Sequence, residues 1–201
     1  MSQTAPRRVG RPRDPSIEGR VLDEAIRTFG REGWSGFSIE KIAQHSGTGK
    51  ASIYSRWKTK EALLVAALSD RVAVIEDIDT GSLRQDLVSL GWQAIDLFLG
   101  PAGPAARRLP LEQEIAPSLQ PFTSEWSRSR VRAARAIVTR GVGRGELSSD
   151  ASVEFIINTV WGGATNFAST QTPRSRTTAH ERGRAYVEQL VDLLLAGVEQ
   201  R

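Results

Sequence analysis

The chain has 201 residues, a formal net charge of +4, 25% charged residues and 39% apolar ones, the profile of a globular protein of one or two domains with a real core. It has no cysteine and two histidines, His45 and His180, far apart in sequence; this excludes disulfides, thiolate metal sites and cysteine nucleophiles and leaves no histidine cluster for a metal or a triad. No apolar run reaches the ~18 residues of a membrane span, and the opening MSQTAPRRVGRPRDP lacks the hydrophobic centre of a signal peptide, so no membrane partner is expected and the expected location is the cytoplasm.

Helical spacing recurs along the whole chain and strand signals are almost absent, so the expected fold is all-α with about nine helices. Asp14-Pro15 opens the first helix, with Ile17, Val21, Leu22, Ala25, Ile26 and Phe29 as one stripe, and Gly33 stops it; Trp34 and Phe37 follow as core anchors. Ser38 caps a short helix, Ile39 to His45, with Ile39, Ile42 and Ala43 on one face. After the Gly-rich turn a third short helix covers about Lys50 to Trp57, and Thr59 caps a longer one running through Leu63, Leu64, Ala67, Leu68, Val72 and Ile75. DTGS at 79–82 is a break, and Ser82-Leu83-Arg84-Gln85 has capping-box form ahead of a helix that ends at Gly100-Pro101.

Residues 100–121 hold five of the nine prolines, which predicts a short helix around Ala105–Ile115 interrupted at Pro110. A helix from about Pro121 carries Phe122, Trp126, Ala133 and Ile137 until Gly141, Gly143 and Gly145 dissolve it. Asp150 is the expected cap of the next, through Val153, Ile156, Ile157, Val160, Trp161, Ala164 and Phe167. After a polar loop at 169–178, Thr178-Ala179-His180-Glu181 is a second capping box and opens the last helix, with Tyr186, Val187, Leu190, Val191, Leu194 and Val198.

Charge is unevenly spread. Residues 1–60 carry 12 Lys+Arg against 6 Asp+Glu, while residues 61–201 carry 15 against 17. A basic first third on a mildly acidic body points to a polyanion meeting only the N-terminal part. There HSGTGKASIYSRWKTKE, residues 45–61, admits two chemistries. A phosphate loop needs Gly-x-x-x-x-Gly-Lys-[Ser/Thr] after a buried strand. With Gly49-Lys50 as its Gly-Lys pair, the first glycine falls on Gln44, the hydroxyl falls on Ala51, and the preceding SIEKIAQH has helical spacing. All three demands fail. A helix-turn-helix needs a small residue at the crossing, a turn glycine and an aliphatic plug, which Ala43, Gly47 and Ile53 provide. Ile39, Ile42, Ile53 and Trp57 then face a small core and leave Lys50, Ala51, Ser52, Tyr54, Ser55 and Arg56 outward.

The stretch FSIEKIAQHSGTGKASIYSRWKTKEALLVAAL resembles the DNA-binding domain of TetR-family transcriptional regulators. It matches the family pattern at Ile42, Ala43, Gly47, Tyr54, Lys60, Glu61 and Leu63, with Ser38, Ala51, Ser52 and Trp57 as near-equivalents; the similarity covers about residues 14–75. The rest of the chain resembles the family's regulatory domain mainly in length and helix order. The resemblance implies a flexible basic arm (1–13), a helix-turn-helix DNA-binding domain (14–60) and a ligand-binding and dimerisation bundle (61–201). It places the third helix in the major groove of a double-stranded operator, with Lys50, Ala51 and Ser52 at base edges and Ser38, Tyr54, Arg56 and Lys60 on phosphates; Thr48, Gly49 and Ser55 complete the expected contact set. For Tyr54 and Lys60 the alternatives are a half-core ring and a solvated cap residue.

Three positions depart from the family pattern. Thr48 stands where an apolar residue is usual, Gly49 where a Ser/Thr cap is usual, and Arg56 where His is common. Either the third helix begins with a weak cap or Thr48 takes over capping. For the arm RRVGRPR two readings stand: Arg7, Arg8, Arg11 and Arg13 lie in a minor groove, or they form a solvated tail. The resemblance further implies a homodimer through the last two helices, where Gly162, Gly163 and Ala164 permit close approach; the alternative is that these faces complete the monomer core. It implies an unidentified small-molecule effector, for which Trp92, Asp96, Phe122, Trp126, Trp161, Thr165, Asn166 and Phe167 are candidate lining residues. No catalytic residue, cofactor or metal is expected. The leading expectation is a ligand-released transcriptional repressor. The alternatives are a nonspecific nucleic-acid-binding protein and a small-molecule enzyme on a helical bundle, the last lacking any paired carboxylates or histidine cluster of diagnostic spacing.

Overall fold

The computed structural model describes residues 15–112, 114–172 and 178–199. Among them the chain forms nine α-helices: α1 Pro15–Gly36, α2 Ile39–Ser46, α3 Lys50–Arg56, α4 Lys60–Arg71, α5 Leu83–Leu99, α6 Gly103–Glu112, α7 Gln120–Gly143, α8 Val153–Ser169 and α9 Ala179–Glu199. No strand occurs among the described residues, and none of their helices is long and apolar enough to cross a membrane.

The first four helices build a small head around Val21, Ala25, Phe29, Phe37, Ile42, Ile53, Leu63, Leu64 and Leu68, all essentially without solvent exposure. The predicted stop at Gly33 is where α1 leaves helical geometry, with φ +66° and ψ −171°. Only glycine takes that conformation without strain, and the position is also crowded: a Cβ there would lie 2.2 Å from Glu112 Oε1. The bend brings Trp34 to stack on Phe37 (6.1 Å between centroids), while Phe37 meets Phe29 edge-on. Phe29 and Phe37, both fully buried, each contribute about 1.5–3 kcal/mol of burial free energy.

In the body α5 is the central helix, packed against α6, α7, α8 and α9. The head is fastened to it through α1, which packs on α6. Arg108 of α6 donates from Nε to the Gly30 carbonyl and from Nη2 to the Arg31 carbonyl, each at 2.8 Å, covering backbone acceptors that the bend at Gly33 leaves open.

Several sequence expectations need correction. The fourth helix stops at Arg71 instead of reaching Ile75. Val72 and Ile75 are buried as expected, but in extended chain whose backbone bonds elsewhere: Ile75 N–H to Ser129 Oγ (3.3 Å) and Glu76 N–H to Gln93 Oε1 (2.8 Å). The capping box at Ser82 does not form; the Leu83 N–H is taken by Glu146 Oε2 at 3.0 Å. Ser152, not Asp150, caps α8 by accepting from Phe155 N–H, and Asp150 accepts from Ser148 Oγ. Gly141 and Gly143 lie inside α7, and the left-handed turn comes only at Gly145, φ +74°. The helix in the proline-rich stretch starts at Gly103, carries Pro110 in its last turn and ends at Glu112, ahead of a single 3₁₀ turn at Pro117–Leu119.

The connector between α4 and α5 is pinned by charge. Arg140 of α7 makes paired bonds to Asp77 (2.9 and 2.7 Å) and reaches the Ile78 carbonyl at 3.0 Å. Arg140 holds the Asp77 carboxyl below the ordinary aspartate range. Asp86 is completely buried; its Oδ1 accepts from Thr80 N–H (2.7 Å) and Thr80 Oγ1 (2.6 Å), and Arg144 lies 3.4 Å from its Oδ2.

Candidate DNA interface

Helices α2 and α3 are both too short to hold their shape alone, so their geometry depends on caps and on the head core. Ser38, extended at φ −143°, caps α2 by accepting from Lys41 N–H (3.3 Å). The helix ends at Gly47, left-handed at φ +64°, with Gly47 N–H bonded to the Gln44 carbonyl (3.4 Å) and Thr48 N–H to the Ala43 carbonyl (3.0 Å). That bond pair is a Schellman ending, in which the residue after the glycine folds back onto the helix it closes. Thr48 accordingly is 7% exposed and its hydroxyl has no hydrogen-bond partner. Its side chain does not lie on the outer face that its place in the expected contact set requires, and it does not cap α3. The position behaves as the apolar residue that Thr48 replaces.

Gly49 occupies the N-cap of α3 at φ −64° and ψ 138°, and no side chain caps that end. A single buried residue, Ile53, anchors the helix, with Trp57 closing it through its N–H to the Ile53 carbonyl (2.9 Å). Lys50, Ala51, Tyr54 and Ser55 are exposed, Tyr54 at 43%, and Ser52 and Arg56 are half-buried. The segment ahead of the Gly-Lys pair is helix α2, so the strand that a phosphate loop requires is not there.

The cations of this face have light internal partners. Lys50 Nζ is 3.4 Å from Glu40 Oε1, whose pKa is lowered first by its own backbone N–H and then by Lys50. Arg56 donates from Nη1 to Ser52 Oγ at 3.0 Å, and its Nε lies 3.9 Å from Glu18 Oε2, beyond hydrogen-bond reach. Ser55 Oγ donates to the Ser52 carbonyl at 2.7 Å. Lys60 is half-buried with its Nζ 3.8 Å from the Trp34 ring centroid, a cation–π contact at the start of α4, whose cap is Thr59. The spacing of the sequence does not reveal Glu40, Glu18 or Trp34 as partners, because each meets its cation across a turn or from another helix. Lys41 is likewise tied to Glu32 and to the Gly36 carbonyl (3.2 Å). Arg7, Arg8, Arg11 and Arg13 lie outside the described residues.

The eight candidate effector residues do not converge on one cavity. Trp126 lines a cleft of about 200 Å³ between α6 and α7, and Asp96 lines a separate one of about 660 Å³ between head and body, near His180. Trp161 is buried and edge-on to Trp126 at 6.5 Å, and Phe122 packs against the core. Trp92 meets His180 edge-on, Phe167 stacks on Tyr186 at 4.9 Å, Thr165 Oγ1 donates to the Gly162 carbonyl and Asn166 is exposed. On α8 and α9 most of the apolar stripe is spent on the monomer core, as Ile156, Ile157, Val160, Val187 and Val191 are buried. Phe155 and Leu193 are left 59% and 76% exposed, and Gly162 faces open space.

Known proteins agree with this arrangement. Residues 21–67 match the family described as bacterial regulatory proteins, tetR family, and residues 77–194 match the tetracyclin repressor-like C-terminal domain. The HTH-type transcriptional regulator AqdR of Rhodococcus erythropolis is 31% identical over 144 residues, 71% of this chain and 70% of that protein. YdeS of Bacillus subtilis, an HTH-type transcriptional regulator, is 26% identical over 161 residues, 76% and 78% of the two chains. Among solved structures, the TetR-family regulator PfmR from Thermus thermophilus superposes with a TM-score of 0.69 over 86% of this chain and 97% of that one, at 23% identity.

Proposed function

The chain belongs to the TetR family of transcriptional regulators, and from that premise we propose that it is a homodimeric, sequence-specific repressor released from a near-palindromic operator by a small molecule. The observation that carries the reading is the outward face of α3, where a single plug, Ile53, leaves Lys50, Ala51, Ser52, Tyr54 and Ser55 facing away from the core. A helix so constructed has little to do for the fold and presents one cation and several short polar groups at major-groove height. In this reading Lys50, Ala51 and Ser52 meet base edges, while Ser38, Gly49, Tyr54, Ser55, Arg56 and Lys60 serve the phosphates, Arg56 and Lys60 after leaving their present partners. Thr48 shapes the turn from inside. The division into an arm (1–13), a reading unit (14–60) and a regulatory unit (61–201) goes with it, and α4 bridges the last two.

One head spans too few base pairs to specify a promoter, so two are needed at a fixed spacing. Phe155, Leu193 and the open flank at Gly162 support α8 and α9 as the surface between copies. Effector binding in the body alters the separation of the heads and so lowers the DNA-competent population. No catalytic step, cofactor or metal enters the mechanism, and the protein works in the cytoplasm where its DNA lies.

Footprinting on the DNA flanking the protein's own gene, followed by competition against scrambled duplex at several salt concentrations, tests the reading. A protected near-palindrome with a preference above about a hundredfold is the expected result. Binding of all duplexes alike would make the protein a nonspecific nucleic-acid binder. ATP hydrolysis abolished by Lys50→Ala would restore the enzyme reading.

A further inference from the structure

Three partly buried arginines of the body have acids beside them. Arg140 and Arg144 have Asp77, Asp86 and Glu146, and Arg108 has Glu112. Arg130 of α7 has no carboxylate within ion-pair distance among the described residues. Its Nε is sealed from solvent without a hydrogen-bond partner, and its guanidinium carbon lies 5.4 Å from the Trp161 ring centroid. Burial alone pushes the Arg130 guanidinium down from its ordinary value. One turn earlier on the same helix face, Trp126 Nε1 is also buried with no partner. An unpaired charge and an unpaired N–H in one place are costly for a fold and are retained where something else completes them.

Both residues line the cleft between α6 and α7, whose other walls are Leu109, Pro110, Thr123 and Ser127, with Pro110 and Ser127 exposed at its mouth. We propose that this cleft takes a small organic carboxylate, its carboxyl group forked on the Arg130 guanidinium and reached by the Trp126 indole N–H, its apolar body against Leu109 and Pro110. The inference rests on the effector reading above and names the chemical class of the effector. A volume of about 200 Å³ lies below the roughly 300–1,000 Å³ of drug-sized pockets and suits a small acid. A planar guanidinium suits a planar carboxylate better than a point cation does. The flank of α7 beside the mouth carries Arg128, Arg132 and Arg135; Glu125 pairs with the first two, and the flank stays net positive, which draws anions toward it.

Calorimetric titration of the full chain with benzoate, phenylacetate and butyrate tests this, with benzamide and inorganic phosphate as controls. At least one of the carboxylates is expected to bind, and benzamide and phosphate to bind at least about tenfold more weakly. Arg130→Gln should weaken that carboxylate about ten- to a hundredfold with little change in the melting temperature of the free protein, since the lost contact with the Trp161 ring is offset by removal of a desolvated charge that has no carboxylate partner. Arg130→Lys, which keeps charge and bulk, should recover part of the affinity, and Trp126→Phe should lose a few fold. Failure of all three carboxylates, equal binding of benzamide, preference for phosphate, or unchanged affinity in Arg130→Gln overturns the proposal. Operator release is read separately. A carboxylate that binds but leaves the operator complex intact sinks the effector reading and spares the site, whereas release by a neutral compound alone spares that reading and sinks the carboxylate.

Discussion

The reading head and the regulatory body handle charge in opposite ways. Around α3 the exposed Lys50 and the half-buried Arg56 face single exposed carboxylates at 3.4 and 3.9 Å, loose pairs of which the first is open to water and salt. In the body Arg140, Arg144, Asp77 and the wholly buried Asp86 form a connected set that holds the α4–α5 connector down. Charge in the body holds the connector in place. On the α3 face of the head it stays exchangeable, which a surface that must trade its own carboxylates for phosphates requires. Behind that face the buried Glu24, paired with Arg27, is as fixed as the body's set. Arg130 is the place where the body breaks its own rule.

The comparison breaks if buried charge in the body proves dispensable. Asp86→Ala leaves Thr80 N–H without its acceptor and takes from Arg144 one of three carboxylate partners, and removing one member of a buried charged set costs up to about 3–5 kcal/mol. Urea unfolding should show a loss of that order. A loss below about 1 kcal/mol would mean that the network is decoration. On the head side the largest effect should come from packing. Ile53→Ala removes the only buried side chain within α3, with an expected cost of about 2–5 kcal/mol, less if the small core collapses around it. DNA binding should fall with it while α5–α9 keep their melting behaviour. Equal loss in both parts would show that head and body unfold as one unit.

The two regions were also unequally legible. In the head the sequence named nearly every element, because Ser38, Gly47, Thr59 and the apolar triplets act locally, within one turn of what they determine. The partners of its cations stayed hidden, since Glu40 meets Lys50 and Trp34 meets Lys60 only after the helices cross. In the body helix order was readable from periodicity, but its caps were not. Ser82 looks like a cap, yet its side chain bonds no N–H of α5, and the free N–H of Leu83 is met by Glu146, 63 residues further on. Residues Val72 and Ile75 continue a helical stripe yet lie in extended chain, because apolar spacing reports burial and not the backbone bonding that Ser129 and Gln93 supply. An aromatic or polar residue on a helix looks the same in sequence whether its ring stacks on a neighbour, as in Phe167, or lines a cleft, as in Trp126.

Acid should separate the regions further. The carboxyl of Asp77 titrates lower in the folded chain than in the unfolded one, held down by Arg140. Its stabilising effect is therefore complete above the unfolded value of about 3.9 and is lost as pH falls through the lower folded value. Asp77→Asn should flatten that part of the acid-unfolding profile, with a modest effect since the pair is partly exposed. A profile identical to the wild type would place the acid sensitivity elsewhere in the body.

The smallest expected effect is the sharpest on the exchange idea. Glu40 competes with DNA for Lys50, and its carboxyl, held below the ordinary glutamate range, stays ionised at neutral pH. Glu40→Gln keeps a hydrogen-bond acceptor at the start of α2 but removes the charge, so Lys50 is free before DNA arrives and a like-charge neighbour of the phosphates is gone. Operator binding should tighten about two- to fivefold, the range of an exposed ion pair, and the gain should fade as salt is raised. In the Lys50→Ala background the part of the gain that comes from freeing Lys50 should vanish, leaving only the relief of phosphate repulsion. A weakened complex in Glu40→Gln would mean that Glu40 positions Lys50 for the groove instead of withholding it. The head's light pairs would then be part of the reading surface, and the contrast with the body would lie in exposure alone.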